Sequence, residues 1–149
     1  MITRGTVFHH KSLVFHNGFT GKKYLVLLNS PDKNEPFLFV KTTSQKKDKP
    51  ITLGCLKNRS LYFIPANTAF FSRDTWVQLY ERYPIFPKDI TNNPDIKSVG
   101  SLDAVTIDQI VDCLFRHEKK NIPPDHEKLL RPAFQKNLNQ LREKFGKKH

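Results

Sequence analysis

Acidic residues are missing from the first 31 positions, which nevertheless contain Arg4, Lys11, Lys22 and Lys23. Cysteine is nearly missing too: the chain has two, Cys55 and Cys113, far apart and in no metal-binding spacing. Reduced thiols in a cytoplasmic protein are the expectation from that usage. No apolar run approaches the roughly 20 residues that a membrane-crossing helix needs, so no membrane segment is expected. The opening "MITRGTVFHHKS" lacks the apolar stretch and cleavage site of a secretory signal. Gly-rich phosphate loops and the G-x-S-x-G elbow are also missing, which removes the simplest nucleotide-hydrolase and serine-hydrolase readings. The histidines His9, His10, His16, His117, His126 and His149 are scattered, and carboxylates do not gather near the basic N-terminal third. Neither a metal centre nor a two-metal nuclease is expected, and no cofactor is implied.

What is present is positive charge, unevenly placed. The 149 residues carry a formal net charge of +11. Between positions 41 and 60 lie Lys41, Lys46, Lys47, Lys49, Lys57 and Arg59 against Asp48 alone. From 61 to 118 acids outnumber bases, and beyond 118 lysine and arginine dominate again. Concentrated in this way, the charge favours a polyanionic partner, nucleic acid first. A merely solvated lysine-rich surface is the alternative.

The length suits one domain with a real core, to which twelve phenylalanines contribute. "GTVFHH" (5–10) reads as a first strand, followed by a long hairpin loop to Gly21 with a short strand at 13–15 inside it. "KKYLVLLN" (22–29) is an apolar run expected to be buried on both faces. "SPDKNEP" is turn chemistry, "FLFVKTT" (37–43) a third strand, and "SQKKDKP" a mobile loop. Further strands are expected at 61–64 and 75–82, with Trp76 as a core anchor. Pro84, Pro87 and Pro94 mark a loop region. Thr106 and Gln109 form a T-x-x-Q capping box that opens a helix with the stripe Ile107, Ile110, Val111, Leu114 and Phe115. After "IPP" a second amphipathic helix is expected, with Leu130, Phe134, Leu138, Leu141 and Phe145 on one face and Pro132 either in its first turn or separating two short pieces. Strands first and helices last imply an α+β, mainly β fold, a small antiparallel SH3-like barrel with C-terminal helices. Residues 1–118 would form the barrel with its packed helix, and 119–149 a basic helical extension.

One constellation has chemical content. If strands 22–29 and 37–43 pair as an antiparallel hairpin, the start of one meets the end of the other. Lys22 and Lys23 then lie beside Thr42, Thr43 and Ser44. An ammonium offsets phosphate charge while a hydroxyl donates a directed hydrogen bond, so the pair makes a phosphate site. Hydroxyl residues that simply cap a strand end are the alternative. Phe15, His16 and Phe19 in the first loop are candidates to stack on unpaired bases, or else to fold that loop onto the barrel. His9 and His10 would point to opposite faces of their strand.

The segments "RGTVF", "GKKYLVLL", "VKTTSQ", "TWVQLYERYP" and "VGSLDAVTIDQIVDCL" follow in an order that resembles the MazF/PemK family of type II toxin–antitoxin toxins. The matching pieces run from Arg4 to Leu114, and the tail from Lys119 lies beyond them. The resemblance implies a CcdB/Kid-like barrel, a homodimer, a cognate antitoxin as partner, and metal-independent cleavage of single-stranded RNA. It places the family's catalytic arginine on Lys23, with Tyr24 where the family has proline, and its catalytic hydroxyl on Thr43, with Ser44 following. Gln45, Lys46 and Lys47 join Lys22 as expected RNA contacts, and His9 or His10 as a proton-transfer partner. Lysine lacks arginine's planar fork, yet it keeps a point charge and, when desolvated, exchanges a proton. The alternative is a non-catalytic module on the same barrel that binds nucleic acid or inhibits gyrase, as CcdB-type relatives do.

Overall fold

The computed structural model describes residues 2–32 and 34–131. Among the described residues, seven strands form one sheet: β1 Thr6–Val14, β2 Thr20–Leu27, β3 Phe37–Thr43, β4 Gly54–Cys55, β5 Leu61–Ile64, β6 Thr75–Ile85 and β7 Ile96–Ser101. Three α-helices join them: α1 Pro87–Thr91, α2 Ala104–Glu118 and α3 Pro124–Leu130. The order across the sheet is β4-β5-β6-β3-β2-β1-β7, and every pairing is antiparallel. The chain is therefore α+β and mainly β, the class expected from its segment order.

Strand alternation explains the two-sided core. Successive side chains on β2 leave opposite faces, so Leu25 and Leu27 join one apolar cluster while Val26 and Leu28 join another. The first cluster includes Phe8, Phe37, Phe39 and Ile90 of α1; the second packs Val7, Leu38, Val77 and Leu79 beneath Ile107, Ile110, Val111 and Leu114 of α2. Burial on both faces thus holds for the second half of β2, but its first half is largely exposed. Trp76 anchors a separate small cluster with Leu56, Leu61 and Phe63.

Gly5 makes the entry to β1 possible. Its φ is +96°, and a Cβ there would sit 2.7 Å from the Leu102 carbonyl oxygen. The close approach lets its amide donate to Leu27 O at 2.8 Å and its carbonyl accept from Leu102 N at 2.8 Å, which ties β1 to β2 and to the lead-in of α2.

Several expectations need correction. β1 runs on to Val14, because a register shift between His10 and Leu13 carries the strand through what reads as loop. The proline-rich stretch holds α1, with Pro87 at its tolerated first position, and then β7, which pairs with β1. The cap of α2 is Asp103, whose carboxylate accepts from Thr106 N at 2.7 Å, so the helix begins before the T-x-x-Q box. Gln109 instead accepts from the Tyr62 hydroxyl at 2.5 Å. Cys55 and Cys113 are not free thiols: they form a disulfide that joins β4 to α2.

The loop after β3 is fastened where Trp76 Nε1 donates to Pro50 O at 2.8 Å. Ile122, ahead of α3, and Leu130, at its end, pack in the same core as α2. The rest of the expected stripe, Phe134, Leu138, Leu141 and Phe145, with Pro132, lies outside the described residues. Among the described residues, no helix is long and apolar enough to cross a membrane.

Candidate functional site

The β2–β3 ladder stops at Leu25 opposite Lys41, although both strands continue, held by their other neighbours. The same register carried two residues further sets Lys23 opposite Thr43 and Tyr24 opposite Thr42. The Thr42 hydroxyl donates to Tyr24 O at 3.0 Å, which holds the two chains together just past the last ladder pair. A cleft of about 510 Å³ opens at this point. Lys22, Lys23, Tyr24, Thr42, Thr43, Ser44 and Gln45 line it, with His9 from β1 and with Phe70, Phe71, Ser72, Arg73 and Thr75 from the segment before and into β6.

The charge of this cleft is one-sided. Among the described residues, Lys22, Lys23 and Arg73 line it and no carboxylate does. Asp74, the nearest acid in sequence, is tied up by accepting from Ala66 N at 2.8 Å. No ion pair engages Lys22, Lys23 or Arg73 among the described residues. Thr43 Oγ1 accepts from Gln45 N at 3.2 Å, which shapes the turn out of β3 and leaves the hydroxyl hydrogen free to donate outward.

Lys23 is electrostatically unusual. Its pKa is lowered from the ordinary lysine value, first by burial and then by the charges of Lys41, Lys49 and Lys47. Its Nζ stands 5.8 Å from the centre of the Phe15 ring, and Lys41 Nζ stands 5.6 Å from the same ring. Lys41 is itself buried: Gln78 Oε1 accepts from it at 3.0 Å, and Glu81 pairs with it at 3.5 Å. An anion bound near this ammonium would offset the like charges that lower its pKa.

His9 and His10 separate as strand alternation requires. His9 lines the cleft, its ring 5.1 Å from that of Tyr24. His10 is buried, and its Nδ1 accepts from Ser12 N at 3.1 Å. Burial lowers the His10 pKa, opposed by Asp95 and helped by His9. Of the two histidines, only His9 lines the cleft.

The loop aromatics do not line the cleft. Phe15 packs beneath the two lysines, His16 lies 4.8 Å from the Tyr83 ring, and Phe19 is exposed. Lys46 and Lys47 are exposed on the loop beyond Gln45, and the charge of Lys47 helps lower the Lys23 pKa.

The lining residues that sequence reasoning misses are Phe70, Phe71, Ser72, Arg73 and Thr75. Phe70 and Phe71 reach Tyr24, with ring centres at 5.7 and 5.8 Å. Gly100 of β7 makes room for Phe70, since a Cβ there would lie 2.2 Å from Phe70 Cδ1. The one signal for them is "FFSRDT", two aromatics followed by a hydroxyl and a cation ahead of a strand. No protein-family model matches the chain, and no curated protein matches it.

Proposed function

We propose that the protein is a metal-independent endoribonuclease toxin of the MazF/PemK type, acting in the cytoplasm on single-stranded RNA and restrained by a cognate antitoxin. One observation carries the reading: a cleft, formed where β2 and β3 part, lined among the described residues by three cations, several hydroxyls and no carboxylate. Such a lining suits a phosphodiester and, with one histidine and no carboxylate among the described residues, offers no ligand set for a metal-bound water.

The chemistry follows from what cleavage by the 2′-hydroxyl requires. That hydroxyl must lose its proton, charge must be stabilised on the phosphorane, and the leaving 5′-oxygen must gain a proton. Thr43 donates to a non-bridging oxygen, and Arg73 and Lys22 offset its charge. Lys23 and His9 are the groups able to exchange protons, Lys23 because burial and like charges ease its deprotonation. The products are a 2′,3′-cyclic phosphate and a 5′-hydroxyl. Tyr24, Phe70 and Phe71 offer ring surface to a base beside the scissile bond. A homodimer would double the cleft, as the resemblance implies.

Incubating the purified protein with single-stranded RNA in EDTA tests this reading. Fragments ending in cyclic phosphate support it, and intact RNA at high protein concentration overturns it. Lysine at position 23 favours a second reading, in which the same cleft binds nucleic acid or blocks gyrase without cleaving. The Lys23→Arg variant separates the two: cleavage appearing only in that variant marks the natural chain as a non-cleaving binder.

A further inference from the structure

Away from the cleft, β4 and α2 bring together the two cysteines and a histidine. Cys113 and His117 stand four residues apart on α2, so they leave the helix on one face. Cys55 reaches them from β4, and the two sulfurs and a ring nitrogen of His117 all lie within 4.8 Å of one another. Cys113 is buried, while Cys55 and His117 are half-buried, so the cluster is shielded yet reachable. His117 Nε2 lies 2.7 Å from Leu56 O. A carbonyl only accepts, so Nε2 carries the hydrogen, and in the neutral ring Nδ1 keeps the lone pair. Metal-bound histidines are held in this way, one nitrogen on the ion and the other donating to a carbonyl or carboxylate.

We propose that in the reduced protein Cys55, Cys113 and His117 form a three-ligand site for Zn²⁺, and that the disulfide is the metal-free, oxidised state of the same site. Two thiolates and an imidazole match the donor preference of zinc. Tetrahedral zinc, with Zn–S of about 2.3 Å, sets its ligand atoms roughly 3.5–3.8 Å apart, within what side-chain rotation supplies here. A fourth position is left to water. Binding releases two thiol protons. In the reverse direction a disulfide oxidant of the glutathione class takes two electrons from the zinc-bound thiolates. The Cys55–Cys113 bond forms, Zn²⁺ leaves, and two thiolates of the oxidant are released. Because β4 follows directly on the loop that carries Ser44, Gln45 and Lys49, the exchange acts at the distal anchor of one cleft wall.

Titrating Co²⁺ as the zinc probe into the full chain, reduced and then oxidised, tests the site without reference to RNA. The reduced protein should bind one equivalent with thiolate charge-transfer absorption, lose that absorption when Zn²⁺ is added, and show none once oxidised. His117→Ala, which spares both cysteines, should weaken binding by about a hundredfold or more. Cys55→Ser, at a half-buried position, should abolish the charge-transfer band while circular dichroism stays native. No charge-transfer band in the reduced protein overturns the proposal, and so does His117→Ala binding as tightly as the natural chain.

Discussion

Lys23 and Thr43 line one cleft, on strands β2 and β3, each two residues beyond the last ladder pair, Leu25 and Lys41. Both continue the alternation of the face that carries Lys41 and Leu25.

Removal of the Thr43 hydroxyl should be costly for catalysis. Thr43→Val keeps the shape but loses the donor, and cleavage should fall by roughly 10²–10³-fold in kcat. Thr43→Ser should recover most of it. Urea unfolding should show a loss of about 1 kcal/mol for the valine variant, because Gln45 N loses its acceptor. A kcat unchanged in Thr43→Val would remove Thr43 from the chemistry.

Charge removal at the cleft rim should act on binding without sequence preference. Lys22→Gln and Arg73→Gln should each weaken binding of a single-stranded oligonucleotide. Each should also lower the slope of log K against log salt by about 0.7 for every phosphate no longer neutralised. Fluorescence anisotropy across a salt series measures both quantities. A slope that stays the same in both variants would place the RNA elsewhere.

His10 gives stability a pH dependence. Burial holds its folded pKa below the ordinary histidine value of 6.5, so the unfolded chain takes up a proton that the folded one refuses. The stabilisation is complete above about 6.5 and is lost as pH falls through the lower folded pKa. Urea midpoints should drop across that window, and His10→Gln should flatten the drop.

The disulfide spans 58 positions of sequence. Chain-entropy arguments give its reduction a cost of about 4 kcal/mol. Comparing urea unfolding with and without reductant reads this directly, and zinc added to the reduced protein should restore part of the loss.

Legibility follows local chemistry. β3 and β5 can be read with their observed bounds, because "FLFVKTT" and "LYFI" are β-branched and aromatic runs between clear turns. The core stripe of α2 is legible because its period is helical, yet its cap is not: Asp103 and Thr106 both make caps, and only the chain path chooses between them. β7, "IKSVGS", has a single buried residue and little alternation, so it becomes a strand through pairing with β1. The Lys22–Lys23 and Thr43–Ser44 walls of the cleft are visible because a hairpin brings neighbours in sequence together. The wall from Phe70 to Thr75 is not, since it reaches the site through the β6 side of the sheet. The Cys55–Cys113 bond depends on how α2 lies over β4, which no local pattern encodes.

The most direct test follows the Lys23 side chain by NMR, through its ¹³Cε and ¹⁵Nζ signals, while a 2′-O-methyl oligonucleotide that resists cleavage is added. Bound phosphate should raise the lowered Lys23 pKa back toward the ordinary lysine value and shift the Thr43, Ser44 and Gln45 amides in the same titration. Binding that leaves the Lys23 titration unmoved, with shifts confined to other surfaces, would contradict the account.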